Sequence, residues 1–438
     1  MRILVTSDNH LGYNENDFIR GDDSYRTFDE ILSIAHKKDV DFILQGGDLF
    51  HDHKPSRNAY NRTIQILKKY VTAIKKEINF DGLSFVNRPI LSIHGNHDDP
   101  SGLNLVSPMD VLHSTELVHY FGKIKNMNDI VVEPILIEKG DIKVAVYGIG
   151  YIKDSRMYKM LQENKIKFKR VDGYFSILMV HQNRVPRNNG YFPENKIPEW
   201  MDVAIYGHEH KSIKTRTENF EVIQVGSSVR TSLSLDEAGD KYVYIIEINK
   251  EGSKISRELL RSVRAFKIET LKGDVDINKY INNMTIEKIN DLLPLLRLRI
   301  EDYSCNINKV EIEKIVENKI ANPSDCIRFI KRSQSKKLDE NEDEKGQFVH
   351  QKVDFNNILR NKLNDSVLNV MTADSLIDAL ELFIKKGGKD AFTEAFHSEN
   401  YKIMKMINFD DLGAEDVNEV IERAKNAVYE ELKRNKIL

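Results

Sequence analysis

Four short segments and one single histidine hold the residues of this chain that could do chemistry. They are Asp8-Asn9-His10, Gly47-Asp48-Leu49-Phe50-His51, Gly95-Asn96-His97-Asp98, His181 and Gly207-His208-Glu209-His210. Asp8, His10, Asp48, Asn96, His181, His208 and His210 make a mixed nitrogen and oxygen donor set without thiolate. Such a set suits Mn, Zn or Fe better than Ca or Mg, which prefer all-oxygen cages. It is too large for one tetrahedral ion and suits two ions sharing a carboxylate, with Asp48 the natural bridge. Two-metal sites of this kind, with ions roughly 3.5–4 Å apart, promote in-line displacement at phosphorus. A lone Asp-x-His is a chance-level signal, and a lone histidine after a strand is more often a hydrogen-bonded core residue. The signal lies in the ordered whole.

Each segment follows an apolar run. The runs are Ile3 to Thr6, Asp41 to Leu44, Pro89 to Ile93, Lys143 to Tyr147, Phe175 to Val180, Val203 to Tyr206, Val222 to Val225 and Tyr242 to Ile248. They have strand length, and their unbroken hydrophobicity suits strands buried on both faces. In α/β sheets, ligands bind beyond the carboxyl ends of the strands, so the donors are expected to meet in one crevice there. Tyr60, Ile64, Leu67, Val71, Ile74 and Ile78 form a helical stripe after Pro55 and Ser56, read as a helix laid on the sheet, with a dimer seam the alternative. A layered α/β architecture follows.

The pattern changes near Phe266, where strand candidates Phe266 to Leu271, Leu295 to Ile300 and Cys326 to Ile330 alternate with helical stretches, enough for a small α+β unit. Lys331 to Lys337 is basic and the next residues are acidic, which reads as a solvated loop. Beyond it, Phe355, Ile358, Leu359, Leu363, Val367 and Leu368, then Leu376, Leu380 and Phe383, then Val417, Val420, Ile421 and Ala424 mark amphipathic helices.

At 438 residues the chain exceeds what one core usually organises, and 40% hydrophobic with 30% charged residues argues against a wholly disordered chain or a membrane span. A net charge of −3 means that any nucleic-acid contact comes from a local patch or a bound metal, not bulk charge. Two cysteines, Cys305 and Cys326, cannot build a disulfide framework, so a reducing compartment is expected. The amino terminus turns polar too soon for a signal peptide. Every histidine except His350 and His397 lies at or before His210, which places the chemistry in the first half.

The order D-x-H, G-D, G-N-H-D, H, G-H-x-H resembles the calcineurin-like metallophosphoesterase superfamily. The wording SDNHLGYNENDFIRGDDS, GGDLFHDHKPSR, SIHGNHDDPSG, DVLHSTELVHYFGK, VHQNR, YGHEH and VGSSVRTSL is similar to the eukaryotic meiotic-recombination-eleven type of DNA double-strand-break repair nuclease. PLLRLRIEDYS and ENKIANPSDCIRFIK resemble the capping domain of that family, so the likeness covers roughly residues 1 to 335.

The resemblance implies a layered metallophosphoesterase sandwich over 1–265, a smaller α+β DNA-capping domain over 266–335, a charged loop over 336–353 and a helical partner-binding region over 354–438. It implies two Mn2+ ions, one held by Asp8, His10, Asp48 and His210, the other by Asp48, Asn96, His181 and His208. His97 falls on the proton donor of the family and His51 on its second functional histidine, while Tyr13, Lys54, Arg57 and Arg184 lie where the family approaches DNA. The implied activity is 3′-to-5′ double-strand exonuclease and single-strand endonuclease action on DNA ends in break repair and meiosis. It also implies nuclear residence, a homodimer and a coiled-coil, SMC-like ATPase partner. The alternatives are a catalytically weak DNA-end-tethering scaffold or another phosphoesterase of the superfamily. Protein phosphatases there typically carry GDxVDRG and RGNHE, unlike the Gly47 to His51 and His94 to Asp98 stretches here. The chain departs from the family where Val225 replaces a usual proline and Arg230 a usual small residue, both expected to alter a substrate-facing loop. The short stretch between Tyr70 and Pro89 puts the contact of the family with a regulatory subunit in doubt.

Overall fold

The computed structural model describes residues 1–330 apart from 72–74, 81–82, 88, 101–104, 125–128, 187–189, 273–276, 285–287 and 302–308. The charged loop and the helical partner-binding region expected beyond residue 335 lie outside the described residues. No helix among the described residues is long and apolar enough to cross a membrane.

Two sheets make the body of the protein. One has six strands in the order Gly252–Leu259, Tyr242–Asn249, Arg2–Thr6, Phe42–Gln45, Ile90–Ser92, His119–Tyr120. The other has eight, in the order Ile213–Arg216, Glu221–Gln224, Val203–Gly207, Phe175–His181, Ile142–Ile149, Ile135–Lys139, Lys75–Phe80, Leu83–Asn87. Each of the eight apolar runs falls on a strand. Arg2–Thr6, Phe42–Gln45 and Ile90–Ser92 are mutually parallel, as are Ile142–Ile149, Phe175–His181, Val203–Gly207 and Glu221–Gln224.

The alternation of side chains along these strands builds three cores. Ile3, Val5, Phe42 and Leu44 of the first sheet meet Val144, Ile177, Ile205 and Ile223 of the second between the sheets. The opposite face of the first sheet, with Leu4, Ile43 and Ile245, is covered by helices Asp23–Lys37, Arg57–Val71 and Pro108–Ser114. The outer face of the second, with Tyr147, Leu178 and Tyr206, is covered in part by helix Asp154–Gln162 through Met157, Met160 and Leu161. This is the expected layered sandwich.

The helical stripe stops short of its expected length. The helix ends at Val71, Ile74 lies outside the described residues, and Ile78 belongs to strand Lys75–Phe80. Ile78 and Phe80 alternate with Glu77 and Asn79, so strand period takes over from helix period there. Leu67 and Val71 are buried and Tyr60 and Ile64 partly buried against the core of this chain, so the stripe packs inward.

Residues Phe266–Lys272, Leu295–Glu301 and Ile327–Ile330 form a separate three-stranded parallel sheet. Helices Ile277–Asn283 and Lys309–Val316 lie between them in sequence, and Leu298, Ile300, Ile312 and Val316 share a small core. Arg264, just before this sheet, donates from Nε to Asp23 Oδ2 over 2.7 Å, with both side chains nearly buried. Its other nitrogens reach Leu293 O and Ile19 O at 2.8 and 2.6 Å. Removing one partner strands a buried charge, so Arg264→Ala is expected to cost about 3–5 kcal/mol. The urea midpoint measures this, and an unchanged midpoint would show that the ion pair does not hold the junction.

Candidate metal centre

The parallel strands of both sheets end at one edge, and the five segments sit there. Thr6, Gln45, Ser92, His181 and Gly207 close their strands, and the chain turns at once. The turns are unusual. Asp8, His10, Asp48 and His208 have φ of 50°, 47°, 53° and 85°, the left-handed region that side chains rarely occupy. Asp8 N and His10 N donate to Gly47 O and Asp48 O at 3.0 Å each, tying the first turn to the second. Gly47 (φ 95°) and Gly95 have no room for a side chain: a Cβ on Gly47 would strike His181, and one on Gly95 would strike Asp48.

The structure brings all seven predicted donors together. The donor atoms of Asp8, His10 and His210 lie within 4.8 Å of one another, as do those of Asp8, Asp48 and His181. His10 Nε2 is 3.2 Å from His210 Nε2 and 3.9 Å from Asp48 Oδ2. Asn96 Oδ1 stands 2.7 Å from His208 Nδ1 and 3.3 Å from His181 Nε2, which is itself 3.4 Å from Asp48 Oδ2. Asp8 and Asp48 are buried, as are His10 and His181.

Hydrogen bonds at the back of the rings set their tautomers. His181 Nδ1 donates to Gly46 O at 2.7 Å, His97 Nδ1 to His51 O at 2.6 Å, and His210 Nδ1 meets Glu237 Oε1 at 2.6 Å. Each leaves Nε2 as a lone pair. For His181 and His210 that lone pair faces the buried carboxylates, an arrangement that is repulsive unless a cation lies between. The electrostatics show the same demand. Burial pushes the Asp48 carboxyl up, but the surrounding imidazoles, His181 first, hold it far below the usual carboxylate range. Burial would lower His181, yet Asp48 raises it to about 9, a proton standing in for a cation. Burial keeps His10 and His208 neutral, His208 down to about 3. Burial raises the Asp8 carboxyl, so it is the neutral His10 and His208 beside the ionised Asp48 that fit a divalent transition-metal ion.

His51 and His97 lie beside this cluster. Their rings stack with centroids 4.9 Å apart, and the His97 ring stands 5.0 Å from that of His10. The His97 backbone N–H donates to Asp48 Oδ1 at 2.7 Å. Tyr13 places its ring edge-on to His51 at 4.9 Å and donates its hydroxyl to Thr231 O at 2.6 Å. Lys54 and Arg57 are exposed, Arg57 opening its helix. Arg184 is turned inward, its guanidinium on Gln224 and Glu194 at 2.9 and 2.8 Å.

Sequence reasoning missed Glu237, buried behind His210, and the structural role of Asp98. The Asp98 carboxylate accepts from Leu49 N, Phe50 N and Gly95 N at 2.7, 3.2 and 2.7 Å, locking two ligand turns together. Burial, with Asp48 nearby, raises Asp98 to about 7. The GNHD wording contained it, but only the fold shows which atoms it holds. For Val225 and Arg230, expected to alter a substrate-facing loop, the structure places both side chains in the interior. Val225 belongs to the core between the sheets, and Arg230 donates to Arg264 O at 2.9 Å.

A cleft of about 550 Å³ runs between the Thr231 to Leu235 loop with Tyr13 on one side and the three-stranded sheet on the other. Arg297, Arg299 and Arg328 line it, and register pairs Arg299 with Arg328 across neighbouring strands.

Residues 1–212 match the family described as calcineurin-like phosphoesterase, and residues 221–383 match the Mre11 DNA-binding presumed domain. The chain is 34% identical to the double-strand break repair protein MRE11 of Encephalitozoon cuniculi, covering 97% of this chain and 84% of that protein. It is 32% identical to MRE11 of Mus musculus, covering 90% and 65%. It is 36% identical to the double-strand break repair protein mus-23 of Neurospora crassa, covering 77% and 55%. The chain therefore spans less than two thirds of the mouse and Neurospora proteins. The two family matches meet next to the hairpin of Ile213–Arg216 and Glu221–Gln224, so the second begins inside the sandwich.

Proposed function

The chain belongs to the MRE11 family of double-strand break repair proteins, and from that membership we propose that it is a manganese-dependent nuclease acting on DNA ends. The carrying observation is the cluster of imidazoles whose rear nitrogens are pinned, leaving lone pairs aimed at Asp8 and Asp48. Asp8, His10, Asp48 and His210 would hold one Mn2+, and Asp48, Asn96, His181 and His208 would hold the second. Bound there, the two cations supply Lewis acidity toward one phosphodiester.

The residues of the chain do the rest. His97, fixed through Nδ1 on His51 O, acts in its imidazolium form: with Nδ1–H held by that carbonyl, the Nε2–H supplies the proton for the leaving 3′-oxygen. His51 stacks on His97 and keeps its plane. The arginine-lined cleft, with Tyr13, Lys54 and Arg57 nearer the ligand turns, tracks the phosphate backbone, and the match to a presumed DNA-binding domain supports this. Arg184 serves this surface only by leaving its internal partners. We assign 1–265 to the nuclease domain and 266–335 to a DNA-capping domain.

Family membership supports 3′-to-5′ exonuclease and single-strand endonuclease action, nuclear residence and a coiled-coil ATPase partner bound within 354–438. It also supports a homodimer, for which exposed Leu105, Val106 and Val111 offer an apolar surface. The test is a cleavage assay on end-labelled duplex and single-stranded DNA and on a phosphopeptide, with and without Mn2+. Mn2+-dependent DNA cleavage and an untouched phosphopeptide are expected. Phosphopeptide hydrolysis without DNA cleavage would make the chain another phosphoesterase.

A further inference from the structure

Among the described imidazoles of the cluster, His210 is backed by a carboxylate, where His181 and His97 are backed by backbone carbonyls. Glu237 Oε1 lies 2.6 Å from His210 Nδ1, and Glu237 is itself buried. The remaining lone pairs of the carboxylate are filled from one loop. Thr231 N and Oγ1 each reach Oε1 at 3.2 Å, and Ser232 N reaches Oε2 at 2.8 Å. Lys241 Nζ closes the same loop by donating to His210 O at 3.0 Å and Ser227 Oγ at 2.7 Å. Behind the loop, Arg230 donates to the backbone carbonyls of Glu237, of Gly239 at 3.0 Å and of Arg264 at 2.9 Å. Its guanidinium lies 5.6 Å from the Phe266 ring, at the start of the three-stranded sheet.

We infer that Glu237 is the positioning residue of His210, and that Arg230 sets where Glu237 sits, so a side chain remote from the donors governs one ion of the pair. The inference rests on the metal-centre reading. A carboxylate on Nδ1 fixes the tautomer, turns Nε2 inward and makes it more basic. The loop donors alone would seat Glu237 without His210, yet the His210 contact is the shortest of its hydrogen bonds. A glutamine cannot replace it: its amide must turn N–H groups either to Ser232 N–H or to His210 Nδ1–H and Thr231 N–H. Arg230 carries the geometry outward, because its three acceptors join the Glu237 turn to Arg264, just before the three-stranded sheet.

The test is calorimetric titration of metal-stripped full-length chain with Mn2+, read beside the exchange-coupled paramagnetic resonance signal of a manganese pair. Wild type takes up two ions. Glu237→Ala and Glu237→Gln are expected to weaken one ion by about 10–100-fold and leave the other, the same ion that His210→Ala removes. Arg230→Ala is expected to weaken that ion less, since it displaces the carboxylate without deleting it. Millimolar Mn2+ is expected to restore the coupled signal in the Glu237 and Arg230 variants, which a purely structural defect would not permit. Should Glu237→Ala not fold, Glu237→Gln gives the same reading. Wild-type affinity at both ions in Glu237→Gln and Arg230→Ala overturns the inference while leaving the metal centre intact. Absence of ion uptake by wild type overturns the metal centre itself.

Discussion

His97→Asn should leave the fold and the uptake of two Mn2+ ions unchanged and slow DNA cleavage by about 10²–10⁴-fold. The His97 side chain makes its hydrogen bond through Nδ1 to His51 O at 2.6 Å, and an asparagine amide can donate to the same carbonyl. The bond that ties this turn to Asp48, His97 N–H to Asp48 Oδ1 at 2.7 Å, comes from the backbone and survives the substitution. What disappears is a titratable nitrogen at the mouth of the site. His51 is poorly placed to take over, because its Nδ1 faces His10 Nδ1 at 3.4 Å, and burial with His97 beside it lowers its proton affinity. Single-turnover cleavage at saturating Mn2+, alongside metal analysis of the same sample, separates loss of chemistry from loss of metal. Wild-type cleavage by the variant would remove proton donation by His97 from the mechanism.

The donors were legible because of how parallel sheets bury their strands. Strands covered on both faces, such as Val203–Gly207 and Phe175–His181, read as continuous apolar runs, and a polar residue directly after such a run stands out. Strands at sheet edges gave no such contrast. Gly252–Leu259, with sequence GSKISREL, and Ile213–Arg216, with sequence IKTR, are mostly exposed, so their charges masked them. The helix after Ser56 was legible only until Val71, because a stripe stepping by three and four cannot show where the backbone changes to strand.

The residues behind the donors were not legible. Glu237 stands 27 residues beyond His210 on a short 3₁₀ turn, and nothing in its local sequence distinguishes it from a solvated acid. Arg230 stands out in the sequence only as a departure from the family in a loop that the resemblance makes substrate-facing, which says nothing of where its side chain goes. Its burial depends on the backbone carbonyls of Glu237, Gly239 and Arg264, which lie up to 34 residues away in sequence and converge only in the folded chain. The left-handed turns at Asp8, His10 and Asp48 were equally hidden, since none of these positions carries the glycine that usually marks such a φ.

Asp48→Asn should abolish the site by the opposite route, keeping His97 and losing the metal. Asp48 Oδ1 accepts the His97 backbone N–H, while Oδ2 faces His181 Nε2 at 3.4 Å and His10 Nε2 at 3.9 Å. Asparagine has the same shape and keeps the first contact with its carbonyl oxygen. Its amide nitrogen then points at the two imidazoles, where it brings no negative charge and no donor pair. A carboxylate shared by two ions is lost to both, so uptake should fall from two ions to one at most. Cleavage should drop by about 10³-fold or more, roughly 4 kcal/mol of barrier. Thermal unfolding supplies a readout independent of activity. At a Mn2+ concentration about 100 times Kd, each bound ion adds roughly 2.7 kcal/mol through linkage, so wild type with two ions gains more than a variant that binds one at most. Two bound ions and a wild-type Mn2+-dependent rise in Tm for Asp48→Asn would show that the carboxylate is not shared. The seven donors would then have to be divided between the ions in another way.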